Sequence, residues 1–125
     1  MVRAELKRLH SPDVGDLKSF HPGEPEDFGF LLQAMIGPVG VESKESFDMM
    51  VCTPEWLRRN HAATEIIVGR HHLIVCKYDY ESLVSYISEF VKQCTGDSWS
   101  EVADKLGRLG KWEFEDYQRL PSSNQ

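Results

Sequence analysis

Cysteine is scarce in this chain, and no motif is built around it. Cys52, Cys76 and Cys94 make an odd count without a CxxC spacing, which excludes a disulfide framework and a thioredoxin-type pair. A reducing cytoplasm is the compartment expected from such usage. There is no Walker loop, no GxGxxG and no GxSxG, so nucleotide-phosphate and esterase chemistry lack their frames. "IGPVG" has two glycines but neither the lysine nor the helix start of a phosphate cradle, and it reads as a hairpin loop. No stretch approaches the ~20 apolar residues that span a bilayer. The opening "MVRAELKRLH" has no apolar core of a signal peptide, and no internal repeat is present. Positive charge is also short, with 14 Lys and Arg against 20 Asp and Glu, a net charge of -6. Phosphate backbones repel such a domain, so no direct nucleic-acid binding is expected, and no membrane association. Basic partners would instead be drawn to it.

What is present is enough for one domain. With 125 residues there is room for a single core, expected over residues 1–118, with residues 119–125 as a flexible tail. Val2–His10 reads as a strand, with Ala4 and Leu6 on one face and Arg3, Glu5 and Lys7 on the other. Residues 11–27 hold three prolines and two glycines and read as a long loop with a helical turn within 13–20. In residues 28–36, Phe28, Phe30, Leu32, Ala34 and Ile36 alternate onto a core face. Residues 46–53 return antiparallel, with Phe47, Met49 and Val51 inward. Thr53, Pro54 and Glu55 then start a short helix as cap, first residue and dipole complement.

Residues 65–78 are rich in Ile and Val and read as one long strand, or two broken at Gly69 and Arg70. "DYESLVSYISEFVKQC" is a helix capped by Asp79, its apolar face formed by Leu83, Tyr86, Ile87, Phe90, Val91 and Cys94. Ser98 and Glu101 form the capping box of another, with Val102, Ala103, Leu106 and Leu109 inward. "KWEFEDY" alternates Trp112 and Phe114 against Glu113 and Glu115, as an edge strand or an extended segment. The order β-β-β-α-β-α-α predicts an α+β fold: an antiparallel sheet of about four or five strands packed on one face by two or three helices.

Chemistry is harder to place. Cys52 precedes a helix N-terminus, whose dipole could lower a thiol pKa. A Cys-His enzyme would need one of five histidines beside it, and none stands in a family signature. Packing is the usual role of a buried lone cysteine. His71 and His72 are adjacent, so on a strand they point to opposite faces and do not chelate one metal. "EPED" and "EFED" pair carboxylates as glycosidases do, but acidic clusters in small domains are ordinarily solvated surface. The readings left open are a small enzyme or metal protein using Cys52 and histidines, and a binding module. No cofactor is called for.

Five stretches stand in a recognisable order: "LHSPD", "EDFGFLLQAMIGP", "ESFDMMVCTPEWL", "GRHHLIV" and "GKWEFEDY". Together they resemble the immunity protein 8 family of bacterial polymorphic-toxin and contact-dependent inhibition systems. "CTPEWL" and "GKWEFEDY" carry the resemblance most specifically. It implies a cytoplasmic, non-catalytic antitoxin whose partner is a cognate toxin domain, nucleases being common among such toxins. It supplies no toxin-contacting residues.

The contact face expected from the residues themselves combines acids with aromatic anchors. It comprises Asp13, Asp16, Glu24, Glu26 and Asp27 of the loop, with Trp112, Glu113, Glu115 and Asp116 near the end of the chain. Phe20, Phe28, Phe114 and Tyr117 are interleaved with them. The oligomeric state is left open.

Overall fold

The computed structural model describes residues 1–114; Glu115, Asp116, Tyr117 and the tail expected over 119–125 lie outside the described residues. The elements are β1 (Val2–His10), β2 (Gly29–Pro38), β3 (Glu45–Cys52), α1 (Pro54–Asn60), β4 (His72–Ile74), α2 (Tyr80–Gln93), β5 (Thr95–Gly96), α3 (Trp99–Leu106) and β6 (Lys111–Trp112). Strands run β4-β3-β2-β1-β5 across the sheet, and β6 also pairs with β3. The fold is α+β, as the order of elements predicts.

The centre of the sheet follows from alternation. β2 and β3 pair antiparallel without a break from Gly29 opposite Cys52 to Ile36 opposite Glu45. That register puts Phe30, Leu32, Ala34 and Ile36 beside Phe47, Met49 and Val51, all buried, with Phe28 just before the strand. β1 alternates through Ala4 and Leu6, then slips. A bulge lies between Leu6 and Arg8, and Leu9 rather than Arg8 packs against the core. One extra residue changes which parity faces inward. Leu83, Ile87 and Val91 of α2 and Val102, Ala103 and Leu106 of α3 close this face. Ser98 caps α3 by accepting the Glu101 N–H, whereas Asp79 at the start of α2 accepts the Ser82 hydroxyl instead of a backbone N–H.

α1 lies on the other side. Gly29 faces away from the core, and a Cβ there would stand 2.4 Å from the Trp56 ring. The glycine lets this indole lie directly on the outer face of β2. Thr53 holds the corner: its Oγ1 accepts N–H groups from Phe28 at 3.1 Å and Trp56 at 3.3 Å.

The long strand expected over residues 65–78 is shorter and runs in another direction. Only His72–Ile74 pairs, and it lies parallel to β3, with Met50, Val51 and Cys52 opposite His72, Leu73 and Ile74. A parallel neighbour requires a crossover. α1 and residues 61–71 make it, and the Ile/Val run falls within that connection. Ile66 is 91% exposed and Val68 74%. A turn closed by the His72 N–H on Gly69 O, with His71 at φ 66, ends the run.

Candidate functional site

The acidic loop, residues 11–27, is anchored by its apolar residues. Val14 and Leu17 are buried. Phe20 packs edge-on against Phe30 and Tyr78, with ring centroids 5.5 and 5.0 Å apart. The Tyr78 hydroxyl donates to Leu17 O. Burial, then Tyr80 and Asp16 nearby, push the Tyr78 phenol up to about 12, so it remains a donor at neutral pH.

The loop acids divide by role. Asp13 accepts the Leu31 N–H at 2.9 Å, where β2 extends beyond its pairing with β1. Asp16 accepts the Lys18 N–H and the Ser19 hydroxyl, forming a local turn. Asp27 pairs with Arg59 of α1 through Oδ2, while its Oδ1 is buried without a hydrogen-bond partner among the described residues. Glu24 and Glu26 project into solvent. Hence Asp13 and Asp16 join exposure to a structural bond, Asp27 is largely structural, and Glu24 and Glu26 are the acids that a partner can reach without breaking an internal bond.

The second half of the expected face is a clip on β3. Trp112 stacks on Phe47 with centroids 6.4 Å apart and 9° between planes. Its Nε1–H donates to Glu45 Oε1 at 2.8 Å, the oxygen that also accepts the Trp99 indole at 2.7 Å. Glu113 accepts the Ser46 N–H at 2.6 Å. Glu45 as a junction of two indoles escaped the sequence reading, since those partners stand 54 and 67 residues away.

The described parts of the two halves meet β3 at different levels. β6 pairs at Phe47 and Asp48, while the loop leads into β2 at the level of Cys52. Five residues of strand separate these levels, about 17 Å at ~3.4 Å per residue. β4 pairs with β3 next to β6, at the level of Met50 to Cys52.

Beside β4 the structure opens a groove of about 550 Å³ toward α2. Val51 and Leu83 contribute buried side chains, Leu73, Val75 and Tyr78 half-buried ones, and Tyr86 stands 56% exposed. The apolar spacing of α2 predicts Tyr86 on its inward stripe, whereas the structure leaves it more than half exposed. In the sequence only the alternation of Leu73 with Val75 marks this surface.

The cysteines separate clearly. Cys52 and Cys94 are buried and Cys76 is exposed. Burial pushes the Cys52 thiol up, opposite to what a nucleophile requires. Burial raises Cys94 as well, against a weaker pull from Arg108 and Lys105. Ellman's reagent is therefore expected to titrate one thiol per native chain and three after denaturation; rapid native reaction of two or more would contradict this arrangement.

His71 Nε2 lies 2.7 Å from Gly107 O and His72 Nδ1 3.1 Å from Arg70 O. Among the described residues no three His, Cys, Asp or Glu side chains converge as a metal-holding group. No described helix is long and apolar enough to cross a membrane.

No curated protein and no solved structure matches the chain. The sequence model described as Immunity protein 8 does, over residues 4–117. That span contains every described element from β2 to β6 and nearly all of β1, together with the loop, the β4 edge and the "CTPEWL" corner. The chain belongs to the immunity protein 8 family.

Proposed function

We propose that the protein neutralises a cognate toxin domain by stoichiometric binding in the cytoplasm, without catalysis of its own. The family implies a toxin partner. A nuclease is the toxin class that best fits an acidic inhibitor, because a cleft that binds phosphate is basic. The observation that carries this reading is the pegged acidic loop. Glu24 and Glu26 stand exposed on a segment whose Val14, Leu17 and Phe20 pack inward, so their charge is presented without a large ordering cost. Protection at low copy number calls for nanomolar binding, roughly -12 kcal/mol.

The enzyme reading built on Cys52 has less support, because this thiol is buried. That reading predicts loss of activity in Cys52→Ser with the fold retained, whereas binding does not require the thiol.

The test begins with the neighbouring genes: where the one directly upstream encodes a large secreted protein with a variable C-terminal domain, that domain is the candidate toxin. Co-expression with this chain is expected to rescue growth. The double variant Glu24→Lys, Glu26→Lys is expected to slow association at low salt by about tenfold or more, with a smaller effect at high salt. Asp27 is left intact because Arg59 depends on it. Absence of rescue by the native chain would refute the immunity reading; unchanged association in the variant would refute the role of the loop.

A further inference from the structure

The outer edge of β4 is the end of the main sheet path and has no neighbouring strand among the described residues. His71 O accepts the Met50 N–H, and the Val75 N–H donates to Cys52 O. In a parallel ladder this parity turns the backbone groups of 71, 73 and 75 toward β3. The N–H and C=O of Ile74 therefore point outward, beside the apolar groove. Edge strands of this kind are ordinarily covered, charged or bulged. Here the edge carries Ile74, 54% exposed, and follows a connection exposing Ile66 and Val68.

Taken with the toxin-binding reading, on which this rests, the geometry points to strand addition: an extended segment of the toxin pairs with the outer edge of β4 and lays its apolar side chains into the groove against α2. Backbone bonds from Ile74 supply part of the affinity, and Leu73, Tyr78 and Tyr86 receive alternate side chains. Charge selects the occupant. Asp79 lines the groove at its α2 side, and Asp16 lies close enough to Tyr78 at the groove wall to act on its phenol. Lys77 is the opposing cation of the lining. A segment with basic residues flanking an apolar stretch satisfies this rim. A second copy is the poorer occupant, since it carries the same net charge of -6 and the two chains repel as wholes. Tyr78 also joins the groove to the acidic loop, so the loop can attract the toxin electrostatically and the edge can seat it.

Ile74→Pro tests this with little other damage. It deletes an outward N–H and leaves the β3 bonds of residues 71, 73 and 75 in place, and edge positions tolerate proline. The probe is the same candidate toxin domain. Ile74→Pro and the groove-filling Ser82→Trp are each expected to weaken binding by at least about tenfold, mainly through faster dissociation, while Ile74→Val binds as native. Cys76 gives a readout that needs no variant. Bound toxin is expected to slow maleimide labelling of Cys76, the exposed thiol two residues beyond Ile74. Native affinity in Ile74→Pro, or unaltered Cys76 labelling in the complex, overturns the proposal while the immunity reading stands. No binding by the native chain refutes both. A homodimer that dissociates in Ile74→Pro, with toxin affinity retained, assigns the edge to a second copy and also overturns it.

Discussion

Phe47→Ala is expected to lower stability by about 3–5 kcal/mol, the range for emptying a buried phenylalanine site. Phe47 is fully buried in the middle of the sheet. On one side it pairs with Ala34, whose small side chain leaves room for the ring. On the other it stacks on Trp112, tying β6 to β3. Truncation therefore opens a cavity and removes the surface on which the clip rests. A ring pair of this kind adds about 0.5–1.5 kcal/mol beyond burial. Against a typical total of about 5–15 kcal/mol, the loss is large enough to populate the unfolded chain. Thermal unfolding followed by circular dichroism should show the midpoint falling by at least ~10 °C. Phe47→Leu, which refills most of the volume, should lose much less. A loss below ~1 kcal/mol in the alanine variant would mean that Phe47 does not occupy the core position described, because buried large-to-small changes cost more.

The parts of the fold that were legible in the sequence are those where one face is wet and the other dry. β2 and β3 state their register through Phe30, Leu32, Ala34, Phe47, Met49 and Val51, because a pleated strand with one buried face must alternate. α2 and α3 are equally plain from their apolar spacing and from the Ser98 cap. β1 was legible until its bulge, where the parity changes with no residue that announces it. The Ile/Val run at 65–68 was misleading for a different reason. β-branched residues fit a strand wherever a neighbouring strand offers hydrogen bonds. Here the chain is crossing toward a parallel position beside β3, and no strand lies alongside it among the described residues.

For the candidate site, the acidity of the loop was legible but the partners of its acids were not. Asp13 bonds a backbone group 18 residues away, Asp27 an arginine 32 away and Glu113 a backbone N–H 67 away. Those contacts decide which acids are structural and which face outward. The groove was hidden for the same reason, since Val51, Leu73 and Leu83 become neighbours only after the crossover and α2 have packed.

Thr53→Val is the sharper test of the "CTPEWL" corner because it preserves shape and removes a single oxygen. Thr53 is completely buried. Its Oγ1 accepts the Phe28 N–H, fastening the end of the loop, and the Trp56 N–H, capping α1. Its own N–H donates to Phe28 O at 3.0 Å, a bond that valine retains. Valine fills nearly the same volume, so little packing is lost, while two donors lose their acceptor. An orphaned buried N–H costs about 1–3 kcal/mol and a lost cap ~1 kcal/mol, so urea unfolding should show a loss of about 2–4 kcal/mol. Thr53→Ser keeps the oxygen and should recover most of this. If valine proved neutral, the corner would depend on packing of Trp56 over Gly29 and not on the hydroxyl. If serine failed to recover stability, the methyl group would be the contributing part. The expected ordering, native above serine and serine well above valine, would identify the threonine oxygen as the joint between loop, strand and helix. The same joint places α1 on the outer face and sends the chain back along β3 to form the β4 edge.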